Sequence, residues 1–387
     1  MYPKNLFIVP YKTLYFDEET KQAALKYMDR GVISLDDEPS WRLEKAFADY
    51  FGTKEAIAVV NGSWAGWFSL FGLGVSPGDE VLVPAATDYP VANQVVQAGA
   101  KPVLVDCELD TQNIDPTKIE KKITSKTKAI TVVHMMGHPT DMDPVMEIAK
   151  KHNLYVVEDS CHSLGAKYKG KLLPSSDVAY TSFHGKQIWT AGGGGMVYTN
   201  NEEIAEKMRL QRYHGTHVRG YKSYKPPYVR PDGIWEDKNT NFSMNYRMAE
   251  IDAVVALCQL SKLQSHIDMQ RRISNLYTEL LKGTPVITPV EKDYAHHTWH
   301  RYTIRVPRIR DELDTFLRQE GVETSQNYPA PIHLLRCYAE RYGYKKGDFP
   351  LAERIKDEQL GLPQPRFRSD SDIQYVANKI KEFFKSR

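Results

Sequence analysis

The sequence predicts an α/β protein: a large domain built on a mainly parallel sheet covered on both faces, then a smaller α+β C-terminal domain. Two observations carry this. Between residues 56 and 183, short apolar runs alternate with helical segments, the pattern of crossover units on a largely parallel sheet. At 387 residues the chain also exceeds one ordinary hydrophobic core and fits two. The division is expected at 246/247, with the N-terminal helices in the large domain (1–246) and a linking helix leading into the small one (247–387).

Residues 14–30 read as a surface helix closing at Gly31, and Ser40 to Tyr50 as a second ending at Gly52. The sheet then begins at 56–60, followed by a helix over 63–73, a strand over 80–84, a helix over 91–98 and a strand over 102–106. A strand over 129–134, a helix over 143–152 and strands over 154–159 and 178–183 continue the rhythm, so both faces should be covered. Met196 starts a returning strand, and 202–213 reads as a helix. The polar, aromatic stretch 216–241 reads as a long loop, which at that length is more often functional than idle. One long helical stretch is expected over 247–285, then a strand over 298–306 and helices over 311–321 and 373–384.

Composition excludes several classes. Lys plus Arg is 51 against 49 Asp plus Glu, and a net charge of +2 gives no field suited to nucleic acid. No run of 18 apolar residues occurs and the N-terminus lacks a leader pattern, so no membrane association is expected. Cys107, Cys161, Cys258 and Cys337 are far apart, which fits reduced thiols in a cytoplasmic protein. The histidines form no short ligand pattern, and His296, His297 and His300 lack an acidic neighbour, so no metal is expected.

Several residues could carry chemistry. Gly62 and Ser63 lie between a strand and a helix, where N–H groups and a hydroxyl suit either an anion or plain helix capping. Asp159 ends a strand on the edge where open parallel sheets bind ligands, and can hold a pyridine nitrogen protonated or merely cap the next turn. Ser182 and His184 reach the same crevice, and Lys186 is a candidate imine-forming amine. Asn245 can cap the following helix and Arg247 can hold an anion or carboxylate. Tyr328 and His333 flank prolines of a rigid loop, presented to a ligand or anchoring the loop.

Read in order, Asn61 to Ala65, Gly78 to Pro84, Gly99 to Asp106, Gly137 to Asp143, Val157 to Gly165, Ser182-Phe183, Gly193 to Met196 and Asn245 to Met248 resemble the DegT/DnrJ/EryC1/StrS sugar aminotransferases over about residues 8–384. That resemblance implies a fold-type-I enzyme using pyridoxal 5'-phosphate or pyridoxamine 5'-phosphate, usually a homodimer with shared active sites. Such enzymes pass an amino group from glutamate or glutamine to a keto sugar on a nucleotide, in amino-sugar and polysaccharide biosynthesis. By motif position, Ser63 and Trp64 resemble the phosphate-binding turn, Asp159 the partner of the pyridine nitrogen, and His162 a neighbour of the ring. Ser182 resembles a phosphate ligand, and Asn245 a phosphate contact supplied by the other subunit.

Two positions depart from the family pattern. Gln187 stands where the reactive lysine is expected, with Lys186 one residue early, and Asp88 stands where an aromatic ring usually covers the cofactor, a role left to Tyr89. Glutamine forms no imine and is no effective base, so loss of the lysine should cost about two to four powers of ten in rate. Three histories fit: a Lys-to-Gln variant that traps an intermediate, a local shift that lets Lys186 serve, and a natural lysine-less enzyme. A pyridoxamine-phosphate-dependent sugar dehydratase, with His184 or Lys186 as base, is the enzymatic alternative. A non-catalytic binder or regulator is the other. Tyr213 to Trp235, with Tyr328 to His333, is the expected wall that selects the sugar.

Overall fold

A computed structural model describes residues 7–11, 16–31, 38–184, 187–190, 192–215, 242–364 and 369–386. The chain order is α1 (Glu18–Met28), α2 (Glu38–Phe51), β1 (Glu55–Val59), α3 (Gly62–Gly72), β2 (Glu80–Pro84), α4 (Pro90–Gln97), β3 (Lys101–Val105), α5 (Pro116–Ile119), β4 (Thr127–Val133), α6 (Met142–His152) and β5 (Tyr155–Asp159). Next come a short hairpin, β6 (Lys167–Tyr168) and β7 (Lys171–Leu172), then β8 (Val178–Ser182), β9 (Gly195–Thr199), α7 (Glu202–Arg212), α8 (Glu250–Leu260) and α9 (Leu263–Leu280). The chain closes with β10 (Ala295–His296), β11 (Tyr302–Arg305), α10 (Arg310–Gln319), α11 (Arg336–Tyr342), α12 (Pro350–Glu358), β12 (Gln359–Leu362) and α13 (Asp370–Lys385).

Among the described residues the main sheet has seven strands in the order β1-β9-β8-β5-β4-β2-β3. The pairs from β8 across to β3 are parallel, while β9 runs antiparallel to both β8 and β1. Alternation along each strand feeds two cores. Val81 and Val83 of β2 pack with Ala65 and Phe68 of α3 and Val91 and Val95 of α4. Leu82 between them turns to Val145 and Ala149 of α6 on the other face. Both faces are therefore covered, and every residue of β2 is buried.

The expected helix over 247–285 is two helices. It breaks at Ser261-Lys262, where the Ser261 hydroxyl bonds back to the Cys258 carbonyl at 2.8 Å and Lys262 pairs with Asp17 at 2.6 Å. Ala253, Ala256 and Leu260 of α8 pack with Leu43 and Phe47 of α2 against the main sheet. The C-terminal core forms farther on, from Ile273 and Tyr277 of α9, β11, β12 and α13, with Val9 added from the N-terminus. The segment 332–355 returns to the large layer through Ile332, Tyr338 and Phe349. The stretch 216–241, expected to be a long functional loop, lies outside the described residues, and with it the part 216–235 of the wall expected to select the sugar.

Candidate active site

The carboxyl ends of β1, β2, β4, β5 and β8 converge on a cavity of about 350 Å³. Parallel strands leave their last carbonyls and the following loops together at this edge, so each strand contributes the residues just beyond it.

The turn after β1 forms part of the floor. Asn61 caps α3, its side-chain oxygen accepting the Trp64 N–H at 3.0 Å. Ser63 follows at the helix start and lines the cavity. Gly62 lets this turn meet β8: a Cβ there would lie 2.5 Å from the Ser182 Cβ. Gly194, at φ +113, returns the chain beneath the same turn, its N–H bonded to the Val60 carbonyl at 2.8 Å. Two hydroxyls, Ser63 and Ser182, beside the positive end of α3 suit a phosphate dianion.

Asp159 supplies the negative charge. One carboxylate oxygen accepts the Cys161 N–H at 2.8 Å and the other the Tyr180 hydroxyl at 2.7 Å. Burial raises its pKa against these bonds, which favour the ionised form. Asp88, also on the cavity, is raised by burial and by the neighbouring Asp159 charge. A cation facing this pair, such as a protonated ring nitrogen, would restore the ionised form.

A side wall is built from distant segments. His162 meets the Tyr328 hydroxyl through Nε2 at 3.0 Å, with the rings nearly parallel, and stacks on His300 at 4.4 Å. Arg301 lies 5.8 Å from the Tyr328 ring centre and hydrogen-bonds Asn327. Gln187 stands behind this wall at 1% exposure. Its amide nitrogen donates to the His162 carbonyl at 3.0 Å, its amide oxygen lies 2.7 Å from His300 Nδ1, and its carbonyl takes a bond from His266 Nδ1 at 3.1 Å. Gln187 is absent from the residues that line the cavity.

The structure brings Gly62, Ser63, Asp159, His162, Ser182, His184 and Tyr328 to one cavity. Other expected residues go elsewhere. The Trp64 side chain packs on Tyr246 at 4.4 Å and Trp67 at 5.4 Å. Tyr89, expected to cover a cofactor ring, turns out beside Asn93 and Tyr338, and Asp88 holds the place on the cavity. His333 is fully buried against Glu353 at 2.9 Å and Phe349, which makes it an anchor of its loop. Asn245 does not cap α8, which starts five residues later after Ala249. Its oxygen accepts the Arg247 N–H and Nε–H at 3.2 Å, while the Arg247 guanidinium lies over Tyr213 at 3.6 Å. Lys186 lies outside the described residues. Sequence reasoning missed His300 and Arg301 as cavity residues; the histidines at 296, 297 and 300 were visible only as a cluster, of which His300 alone lines this cavity.

Comparison with known proteins gives a consistent answer. The model of the DegT/DnrJ/EryC1/StrS aminotransferase family matches residues 15–381. A Geobacillus stearothermophilus protein named pleiotropic regulatory protein is 39% identical over 349 residues, 89% of each chain. GDP-perosamine synthase of Caulobacter vibrioides is 36% identical over 93% of this chain and 94% of that one. Among solved structures, S. venezuelae DesV in complex with a ketimine intermediate matches 94% of each chain at 33% identity, with a TM-score of 0.85. No helix among the described residues is long and apolar enough to cross a membrane.

Proposed function

The chain belongs to the DegT/DnrJ/EryC1/StrS aminotransferase family, pyridoxal-phosphate-dependent sugar aminotransferases of fold type I, and from that premise we propose that it aminates a nucleotide-linked keto sugar at the expense of glutamate or glutamine. We further propose that Lys186, not residue 187, is the reactive amine. The observation that carries the second step is the burial of Gln187. A side chain replacing a cofactor-linked lysine should project into the cavity, whereas this carboxamide is committed to the His162 carbonyl and His300 and takes no part in the lining. This favours a local shift of the lysine over a trapped variant or a lysine-less enzyme. Lys186 itself is assigned from its place in the chain, between cavity-lining His184 and buried Gln187.

Pyridoxal phosphate bound here supplies an electron-withdrawing ring that accepts the electron pair left when a proton departs from carbon beside the amino nitrogen. The chain's own residues set the conditions. Ser63, Ser182 and the start of α3 hold the phosphate. Asp159, fixed by Tyr180 and the Cys161 N–H, keeps the ring nitrogen protonated. His162, held by Tyr328, walls the ring and keeps water from it. The homodimer and the Asn245 contact to a partner's phosphate belong to this reading, which is supported by the exposure of Asn245.

The test is incubation of the purified protein with cofactor, a panel of nucleotide-linked keto sugars and amino-15N-labelled glutamate. Transfer of the label to the sugar is expected. Loss of a hydroxyl without label uptake would favour the dehydratase, and saturable cofactor binding without turnover of any sugar would favour the binding protein.

A further inference from the structure

The Tyr180 hydroxyl faces two oxygens and has one proton to give. Asp159 Oδ2 lies 2.7 Å from it and the Gln94 amide oxygen 3.0 Å. Among the described residues neither Tyr180 nor Gln94 makes another side-chain hydrogen bond. All three side chains are buried residues of the cavity lining. Two arrangements close the set. With Asp159 protonated, its Oδ2–H donates to the Tyr180 oxygen and Tyr180 donates to the Gln94 oxygen. With Asp159 ionised, Tyr180 donates to the carboxylate, and Gln94 has to turn its amide nitrogen to the Tyr180 oxygen or leave two oxygens in contact with no hydrogen between them. Glutamine serves both because it carries a donor and an acceptor at the same reach.

Helix α3 makes room for this amide. Gly66 packs against it, and a Cβ there would overlap the carboxamide carbon, oxygen and nitrogen together. Glycine inside a helix is costly relative to alanine, and here Gln94 fills the slot that it leaves. Other titratable groups act on Asp159 by charge. Asp88 opposes its ionisation and His134 favours it, as do Arg301 and, when charged, His162, His184 and His300 of the same cavity. Burial keeps the Cys161 thiol and the Tyr180, Tyr198 and Tyr328 hydroxyls protonated.

We infer that Gln94 is a positioning residue for Asp159: its amide accepts from Tyr180 while Asp159 holds a proton, and turns to donate to Tyr180 when Asp159 gives that proton up to become the partner of a ring nitrogen. This rests on the role given to Asp159 in the proposed function. The Asp159 O–H bond breaks, the proton passes to water or to the ring nitrogen, and the Tyr180 hydroxyl moves its hydrogen bond from Gln94 to Asp159. The half-turn of the amide then restores the remaining bond, so Asp159 becomes charged without orphaning a buried group.

The experiment is a pH titration by NMR of the cofactor-free full-length protein carrying 13Cγ-labelled aspartate and side-chain 15N-labelled glutamine. The signals are identified by their loss in Asp159→Asn and Gln94→Leu. Wild-type Asp159 should titrate above the ordinary carboxylate range, because burial opposes its charge, and the Gln94 amide signal should move with the same midpoint. Gln94→Glu, which when ionised only accepts and adds a negative charge, should raise the Asp159 midpoint by about 1–2 pH units. Gln94→Leu and Gly66→Ala, the second displacing the amide without removing it, should raise it by less, since a donor to the charged form is worth more than an acceptor from the neutral one. Below the wild-type midpoint, saturating pyridoxal phosphate should ionise Asp159 and turn the amide. An Asp159 midpoint unmoved in both Gln94→Glu and Gln94→Leu overturns the proposal, as does a wild-type Gln94 amide that does not follow Asp159. The expected titrations with an Asp159 signal indifferent to bound cofactor uphold the link from Gln94 to Asp159 and remove Asp159 from the proposed function.

Discussion

The floor and the side wall of the cavity are made by different means. Floor residues Ser63, Asp159 and Ser182 sit at or just beyond the ends of β1, β5 and β8, where ladder hydrogen bonds hold the backbone. The wall is held by side chains: Tyr328 reaches His162 across 166 residues of sequence, and Gln187 reaches His300 across 113. The floor should therefore tolerate changes of side chain in its geometry while losing chemistry, and the wall should lose geometry as soon as one polar partner is exchanged.

The largest effect is expected on the floor. Asp159→Asn removes the charge that holds a ring nitrogen protonated while keeping the shape, and should lower turnover by about three powers of ten with the fold intact. Turnover and thermal unfolding measured together check this, and a loss confined to stability would contradict it. The wall supplies the next effect, through pH. His138 donates from Nδ1 to the Pro139 carbonyl at 2.7 Å and accepts the Lys292 N–H on Nε2 at 3.1 Å, tying the segment that leads into the wall. Burial lowers its pKa from 6.5 to about 4. The folded state thus keeps it neutral while the unfolded chain takes up a proton, so its contribution is intact above pH 6.5 and is lost as the pH falls toward 4. The change sums to about 3 kcal/mol. Urea unfolding at pH 7, 5.5 and 4.5 should show a shallower acid slope in His138→Gln; an unaltered slope would mean that the acid sensitivity arises elsewhere.

Smaller effects return to the floor. Gly62→Ala puts a Cβ 2.5 Å from that of Ser182 and should cost about 1–3 kcal/mol, with weakened phosphate binding, both read by titration. Asn61→Ala removes the α3 cap and should cost about 1 kcal/mol in urea unfolding. A Gly62→Ala variant that costs less than Asn61→Ala and binds phosphate unchanged would mean that the close approach of the turn to β8 is not what limits the site.

The same contrast explains what could be read from the sequence. The parallel sheet and the placing of the floor residues on one cavity were legible because apolar runs mark strands and the candidate site residues follow those runs directly, as Asp159 follows Val157. The contacts of the wall were not, although His162 and Tyr328 were named, because no spacing rule says that residue 187 meets residue 300. Tyr328 and His333 share one proline loop, yet the loop turns the first to the cavity and the second to Glu353. Tyr89 and Asp88 are adjacent, and the turn into α4 at Pro90 decides which of them faces inward. Helix α8 looked continuous with α9 by periodicity; a serine hydroxyl bond and a lysine pair at 261–262 end it. Strand β12 was missed because its four residues take their meaning from β11, more than fifty positions earlier.

The central claim is that Gln187 belongs to the scaffold and Lys186 to the chemistry. The most direct test is borohydride reduction of the pyridoxal-phosphate-loaded protein, followed by digestion and peptide mass mapping. A cofactor adduct on Lys186, lost in Lys186→Ala and retained in Gln187→Leu, is the predicted result. Saturable cofactor binding with no covalent adduct on any lysine would contradict the claim.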